Sequence, residues 1–284
     1  MTTTDPLVTT EWLAARLGDA TLRVVDGSFK MPGVTPTAEG DYRAAHLPGA
    51  VFFDVNAVAD RSNPLPHMMP TADQFAHDAG ALGIGNDDTV VCYDAGNFVG
   101  APRVWWMFRT FGHRDVFVLD GGMQKWRAEG RPVTAAAALR APRAYRARFD
   151  AARVRHRADL VANVVSRAEQ VVDARSRERF EGAVAESWPG RRSGRIPGSL
   201  SIPYPLLSDA DTGVFRSREE LARIFAEARI DLNRPVVTTC GSGVTAATIT
   251  LALARLGHDI GALYDGSWAD WGLPDGPDIA TGPA

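Results

Sequence analysis

The amino-acid sequence carries one pattern twice, at an offset of about 147 residues. The matching segments follow the same order in both halves: Arg-Val-Val-Asp at 23–26 with Gln-Val-Val-Asp at 170–173, His-Leu-Pro-Gly-Ala at 46–50 with Arg-Ile-Pro-Gly-Ser at 195–199, Thr-Val-Val-Cys-Tyr-Asp at 89–94 with Pro-Val-Val-Thr-Thr-Cys at 235–240, and Leu-Asp-Gly-Gly at 119–122 with Tyr-Asp-Gly-Ser at 264–267. A length of 284 residues suits two domains that each bury a core. The chain is therefore expected to use one structural unit twice.

Each copy alternates short β-branched runs with helical stretches. The runs at 89–93 and 235–239 are almost wholly apolar or Thr, which is typical of central parallel strands covered on both faces. The stretches at 71–82 and 217–229 have helical periodicity. The sequence predicts an α/β fold of two tandem domains, each a small, mostly parallel sheet with helices on both faces.

The domain boundaries are predicted from composition. We place the first domain at 1–135, a linker at 136–154 and the second domain at 155–284. The linker falls in a region, 131–155, that is rich in Ala, Arg and Pro and poor in large apolar residues. The tail at 274–284 is expected to be frayed.

Composition excludes several function classes. Hydrophobic residues make up 45% and charged residues 23%, and the apolar runs are too short to span a bilayer. A net charge of −3 leaves no electrostatic footprint for nucleic acid. The six histidines show no zinc-ligand spacing and there is no Cys-x-x-Cys. We therefore expect that the protein binds no nucleic acid, metal or cofactor and does not associate with a membrane. The lack of a secretory pattern at the N-terminus favours a cytoplasmic location.

Cys240 begins the loop Cys-Gly-Ser-Gly-Val-Thr-Ala at 240–246, between a predicted strand and a predicted helix. The unsatisfied N–H groups and the dipole of a helix N-terminus favour a thiolate and lower the pKa of a cysteine. The same donors stabilise the anionic terminal sulfur of a persulfide. We predict that Cys240 accepts sulfur as a nucleophile. The alternative is a buried residue at a strand end without a chemical role.

The two copies differ at the residue that leaves the matching strand. The first copy has Asp94 where the second has Cys240, so only the second copy offers a nucleophile there. The other cysteine, Cys92, lies inside an apolar run, where burial makes a thiol inert. We assign Cys92 to the core and the chemistry to the second copy. Nucleotide binding is disfavoured because the loop matches no phosphate-binding fingerprint.

The loop at 240–246 resembles the active-site loop of 3-mercaptopyruvate sulfurtransferases, within the tandem-domain rhodanese family. The segments at 46–54, 101–109 and 264–268 are also similar to that family, so the resemblance covers nearly the whole chain. It implies that Cys240 and Ser242 are catalytic and that the loop holds the persulfide. The implied persulfide loop consists of Gly241, Ser242, Gly243, Val244, Thr245 and Ala246.

The resemblance also implies residues that bind the substrate. Arg179 matches by position an arginine that binds a carboxylate, although an arginine on a solvated helix face is the alternative. Arg175 lies nearer the strand and is a second choice. His67 matches a family position near the domain interface, from which it could touch the site, and a structural role is the alternative.

The sequence departs from the family pattern at two positions. Trp188 stands where a second carboxylate-binding arginine is expected, and Arg191 or Arg192 could take its place. Asn56 stands where an acidic residue is common, and an amide hydrogen-bonds but cannot act as a base. Both departures concern positions at which the family binds or activates the substrate, so they affect the prediction of the substrate.

The uncharged Gly241 and Ser242 resemble the mercaptopyruvate branch, because thiosulfate-preferring members carry basic residues after the cysteine. The predicted function is transfer of a sulfane sulfur from 3-mercaptopyruvate, through a Cys240 persulfide, to a thiol or cyanide acceptor, with release of pyruvate. A thioredoxin-like protein is an implied acceptor. A phosphatase is disfavoured, since the loop has no arginine. The alternatives are a thiosulfate sulfurtransferase and a non-enzymatic persulfide carrier or binding module.

Overall fold

The computed structural model describes residues 5–258 and 261–283. The chain forms two compact units, each of which takes in a segment from the other half of the sequence. The first unit contains the chain up to Asp60 together with Met69–Asp150 and Ser208–Phe215. The second contains Arg61–Met68, Ala151–Leu207 and the chain from Arg216 onward.

The first unit is built on a five-stranded sheet in the order β1-β5-β4-β2-β3, in which every pairing is parallel. The strands are β1 (Leu7–Val8), β2 (Leu22–Asp26), β3 (Val51–Phe52), β4 (Thr89–Tyr93) and β5 (Val116–Leu119). The helices are α1 (Thr10–Ala14), α2 (Ala38–Ala44), α3 (Ala72–Ala81), α4 (Ala101–Thr110) and α5 (Gly122–Ala128).

The second unit repeats this plan in the order β6-β10-β9-β7-β8, again with parallel pairings. The strands are β6 (Val154–Arg155), β7 (Gln170–Asp173), β8 (Leu200–Ser201), β9 (Val236–Thr239) and β10 (Ala262–Tyr264). The helices are α6 (Arg157–Ser166), α7 (Arg177–Glu181), α8 (Arg218–Glu227), α9 (Ala246–Arg255) and α10 (Ser267–Trp271), with 3-10 turns at Ala151–Arg153 and Tyr204–Leu207.

The apolar runs identified in the sequence are the inner strands of both sheets. All residues of β2, β7 and β9 are buried, as are those of β4 after Thr89. Burial of a strand on both faces needs cover from helices, and parallel strands need helical crossovers. The predicted α/β fold of two similar domains is confirmed. Because the strands are parallel, the loops that follow β9 and β10 leave the sheet at the same edge, where open α/β sheets bind ligands.

The structure differs from the expected linker at 136–154. The chain from 136 to 150 has no helix or strand, yet it packs on the first unit. The N–H of Arg143 donates to the carbonyl of Gly80 at 2.9 Å, Tyr145 is buried, and the N–H of Asp150 donates to the carbonyl of Thr110 at 2.8 Å. Val154 already belongs to a strand. A packed coil and a flexible linker have similar compositions, so the sequence could not show that the main chain of this segment is hydrogen-bonded to the first unit.

The tail is also ordered where the structure describes it, which corrects the expectation of fraying. The main chains of Ala280 and Arg195 exchange two hydrogen bonds of 2.8 and 2.9 Å in an isolated antiparallel bridge. The indole N–H of Trp271 donates to the carbonyl of Asp278 at 3.0 Å, and Ile279 packs on the core of the second unit. Backbone pairing and one apolar anchor outweigh a composition rich in Gly and Pro.

We expect Asp88→Asn to lower the free energy of unfolding by about 3 kcal/mol, because it breaks a buried ion pair. The carboxylate of Asp88 contacts Arg23 at 3.2 Å and Arg143 at 2.6 Å, and the Arg23 side chain is itself largely buried. Urea unfolding measures the loss. The neighbouring Asp87 is exposed, so Asp87→Asn is the control, and equal stability of both variants would contradict the expectation.

Candidate functional site

The loop after β9 joins two buried elements. The strand ends at Thr239, Cys240 follows, and α9 begins at Ala246. The residues of α9 from Ala246 to Leu253 are all buried, so neither end of the loop can shift without disturbing the core. The loop is therefore a short, fixed turn that leads into a helix N-terminus.

The main chain of Cys240 is held by the beginning of α10. The N–H of Cys240 donates to the hydroxyl of Ser267 at 3.1 Å, and its carbonyl accepts the N–H of Trp268 at 3.0 Å. The next carbonyl, of Gly241, accepts the N–H of Ala269 at 2.8 Å. The side chain of Cys240 is 2% exposed. These bonds fix the main chain of Cys240 at the start of the loop.

Ser267 combines a buried hydroxyl with a left-handed backbone. Its φ is 48°, and its hydroxyl donates to the carbonyl of Tyr264 at 2.8 Å while it accepts the N–H of Cys240. The repeat pairs Ser267 with Gly122, whose φ is 50°. A glycine adopts this conformation without a steric cost, whereas serine pays for it. Sequence reasoning assigned Ser267 no role, although the Gly-to-Ser difference between the copies was a usable signal.

The loop presents unused N–H groups. Within residues 5–258 and 261–283, the N–H groups of Ser242, Val244, Thr245 and Ala246 donate no hydrogen bond to the protein. They lie at or just before the N-terminus of the ten-residue helix α9. Open donors at a helix N-terminus attract negative charge.

In the first unit, the turn that corresponds to the Cys240 loop donates its N–H groups to the side chain of Asp94. The Asp94 carboxylate accepts the N–H of Gly96 at 2.9 Å on one oxygen, and those of Gly100 and Ala101 at 3.1 and 3.0 Å on the other. The carbonyl of Asp94 accepts the N–H of Met123 at 2.8 Å, as that of Cys240 accepts Trp268. This turn is one residue longer, 95–100 against 241–245. In the first unit a side-chain carboxylate accepts N–H groups of the turn, and the second unit has Cys240 at the corresponding position.

His67 reaches the loop of the second unit. Its Nδ1 lies 3.0 Å from the hydroxyl of Ser242, and both side chains are buried. The ring also meets the indole of Trp188 edge to face, with centroids 5.8 Å apart. His67 belongs to the segment Arg61–Met68, which the second unit takes from the first half of the sequence. The structure thus brings two of the predicted site residues, His67 and Ser242, into contact.

Arg179 lies over the loop and is paired with an acid. A Cβ placed on Gly241 would lie 3.1 Å from Nη2 of Arg179, so the guanidinium stands next to the residue after Cys240. Nε of Arg179 donates to Glu186 at 3.1 Å, and the side chain is 23% exposed. The other oxygen of Glu186 accepts Nη1 of Arg175 at 2.6 Å. Nothing in the sequence indicated this role for Glu186, because the residue lies in an irregular stretch without periodicity.

Arg175 has a structural place. Its guanidinium is buried, bonds the carboxylate of Asp173 and the carbonyl of Gly194, and lies 4.1 Å from the ring of Trp268. The neighbouring Asp173 and Glu186 raise the pKa of Arg175 against the opposing effect of burial. Arg175 therefore anchors Glu186, and through it Arg179.

Of the other predicted substrate-binding residues, Arg191 and Arg192 contact main-chain carbonyls and Asn56 contacts a side chain of the first unit. Nε of Arg191 donates to the carbonyl of Ala269 at 2.8 Å, and Nη2 of Arg192 donates to the carbonyl of Pro277 at 2.7 Å. Asn56 belongs to the first unit, where its N–H donates to the Asp54 carboxylate at 2.8 Å. The two arginines brace the region around α10, and a substrate role for them or for Asn56 stays a prediction.

Cys92 lies in β4 and is buried, in agreement with its assignment to the core. Burial and the nearby Asp94 raise the pKa of its thiol. Among the described residues, no group of three or more His, Cys, Asp or Glu side chains could hold a metal ion. The described helices include none long and apolar enough to cross a membrane.

These features define a class: a duplicated parallel α/β protein in which one copy presents a cysteine at a strand–loop–helix turn and the other presents an acid. The rhodanese-like domain family matches residues 9–129 and 157–273. The chain therefore belongs to the rhodanese family.

Named relatives extend over nearly the whole chain. Thiosulfate/3-mercaptopyruvate sulfurtransferase 2 of Arabidopsis thaliana is 41% identical and covers 95% of this chain and 85% of its own length. The 3-mercaptopyruvate sulfurtransferase of Homo sapiens is 40% identical, with 93% and 91% covered. The crystal structure of SseA from Escherichia coli, a 3-mercaptopyruvate sulfotransferase by its description, has a TM-score of 0.84 and 35% identity, with 93% and 99% covered.

We expect Ser267→Ala to destabilise the second unit by about 1 to 3 kcal/mol, since the buried N–H of Cys240 loses its acceptor. Ser267→Gly loses the same bond but relieves the left-handed backbone, so it should be roughly 1 kcal/mol more stable than the Ala variant. Chemical unfolding compares the two variants. Wild-type stability in both would show that the hydroxyl holds nothing.

Proposed function

We propose that this protein is a sulfurtransferase that takes sulfur from 3-mercaptopyruvate onto Cys240 and passes it to a thiol. The observation that carries the proposal is the turn itself. Cys240 leads into a loop in which the N–H groups of Ser242, Val244, Thr245 and Ala246 donate no hydrogen bond within the described residues. In the matching turn of the first unit, N–H groups donate to the Asp94 carboxylate. A persulfide anion on Cys240 would be stabilised by the same kind of donors.

In the first half-reaction the Cys240 thiolate attacks the sulfur of 3-mercaptopyruvate. An S–S bond forms, the C–S bond breaks, and its electron pair leaves with pyruvate as the enolate. The enolate takes up a proton to give pyruvate. Ser242 and His67, 3.0 Å apart, are the groups placed to relay that proton.

In the second half-reaction a thiolate acceptor attacks the outer sulfur of the persulfide. The new S–S bond lies on the acceptor, and Cys240 leaves as a thiolate, ready for another cycle. Two half-reactions through a covalent intermediate give ping-pong kinetics. The acceptor is a small thiol or a thioredoxin-like protein, and cyanide replaces it in the assay, giving thiocyanate.

Arg179 supports a carboxylate donor. Its guanidinium stands beside Gly241, within reach of the carboxylate of a three-carbon substrate whose sulfur lies against Cys240. Its charge is matched by Glu186, as that of Arg175 is matched by Asp173, so the cluster has no excess of positive charge. A thiosulfate dianion finds little compensation there, which favours mercaptopyruvate. We also propose a cytoplasmic location, since both cysteines are free thiols.

Incubation with 3-mercaptopyruvate should add one sulfur atom to Cys240 and release pyruvate, and thiosulfate should load it more slowly. Intact-mass spectrometry follows the sulfur, and a lactate dehydrogenase assay follows pyruvate. Cys240→Ala should abolish both signals, whereas Cys92→Ala in the core should keep them. Faster loading by thiosulfate would name a thiosulfate sulfurtransferase, and a persulfide without pyruvate under any donor and acceptor would name a carrier.

Arg179→Gln should lower kcat/KM for 3-mercaptopyruvate by roughly ten- to a hundredfold, mainly through KM, because a charge-assisted hydrogen bond is worth about 1.5 to 3 kcal/mol. Loading by thiosulfate should change much less. Arg177 is an exposed arginine on the same helix, paired with Glu181, so Arg177→Gln is the control. Equal effects of Arg179→Gln on both donors would remove the carboxylate role.

A further inference from the structure

Trp188 brings a second donor to the place where Arg179 stands. A Cβ on Gly241 would lie 3.5 Å from the indole Nε1 of Trp188 and 3.1 Å from Nη2 of Arg179. Both nitrogens therefore converge on one point beside the residue that follows Cys240. Within the described chain the indole N–H of Trp188 donates no hydrogen bond to the protein.

The indole is held in this position by a neighbour that is itself fixed. The ring of Trp188 packs edge to face on His67, with an interplanar angle of 68°, and His67 contacts the hydroxyl of Ser242. An indole has few rotatable bonds, so it loses little entropy when a ligand binds. An ordered donor without a protein partner is suited to a ligand acceptor.

The charges around this donor are already balanced. Arg175 and Arg179 face Asp173 and Glu186, two cations against two carboxylates. The Trp188 N–H adds a directional hydrogen bond and no charge. A planar carboxylate with one negative charge can place one oxygen on Arg179 and the other on the indole. A dianion would need a second cation at that position to offset its desolvation.

We propose that the indole N–H of Trp188 binds the second carboxylate oxygen of the donor and makes the site selective for monoanionic 2-oxo acids over inorganic dianions. The assignment rests on the proposed function and deepens it by naming a specificity-determining residue. It also gives Trp188 a task that Arg191 and Arg192, bound to main-chain carbonyls, do not fulfil.

The test compares the wild type with Trp188→Phe, which keeps an aromatic ring beside His67 and removes the indole N–H. The expected result is a roughly tenfold higher KM for 3-mercaptopyruvate, which corresponds to a loss of about 1.4 kcal/mol of binding free energy. The kcat should stay within about twofold of the wild-type value. Trp12→Phe in the first unit is the matched control and should change neither constant. A second variant, Trp188→Arg, adds a cation and should raise the rate of loading by thiosulfate relative to 3-mercaptopyruvate.

A binding measurement separates this inference from the function on which it rests. Pyruvate, a monoanionic 2-oxo acid, should slow the alkylation of Cys240 by iodoacetamide, and about tenfold more pyruvate should be needed in Trp188→Phe. Absence of pyruvate release by the wild type would sink the proposed function but not this result. Equal protection in both proteins, no protection in either, or an unchanged KM in a folded Trp188→Phe would overturn the role of Trp188.

Discussion

The hydrogen bond from the Cys240 N–H to the Ser267 hydroxyl joins the end of the central strand β9 to the beginning of α10. It is buried, and it is kept although Ser267 adopts a left-handed φ of 48°. Such strain persists only where the surrounding structure fixes it, and it clusters at functional sites. The N–H of Cys240 is occupied, and among the described residues the open donors of the loop lie further along, at Ser242, Val244, Thr245 and Ala246. Which N–H groups of the loop remain open thus depends in part on Ser267, a residue outside the loop.

The two copies solve the same local problem with different chemistry. A turn at a helix N-terminus leaves N–H groups without partners, and in the first copy the Asp94 carboxylate satisfies three of them. In the second copy the N–H groups of Ser242, Val244, Thr245 and Ala246 have no such acceptor within residues 5–258 and 261–283. The strand and the helix on either side of this turn are buried. One copy closes its turn with its own carboxylate, and the other leaves four described donors of its turn open.

The fold and the family could be predicted from sequence because they rest on patterns that repeat: apolar strands, helical periodicity and two matching loops. The order within 136–150 and in the tail could not, since a coil and a packed coil have the same composition. The packing of each segment depends on individual contacts with residues far away in the sequence, such as the hydrogen bond from Arg143 to Asp88. The same limit hid Glu186, whose position over the loop follows from its pairing with Arg175 and Arg179. The resemblance suggested that His67 could touch the site, but its contact with Ser242 was indicated by no pattern in the sequence.

The units also share sequence in a way that the duplication does not suggest. The second unit takes Arg61–Met68 from the first half, and the first unit takes Ser208–Phe215 from the second half. A cut at the boundary after Asp150 therefore yields no self-sufficient half: the C-terminal fragment loses His67 and its contact with Ser242. Exchange of the N-terminal half alone between two relatives would therefore also replace Arg61–Met68, the segment that contacts the loop of the second unit.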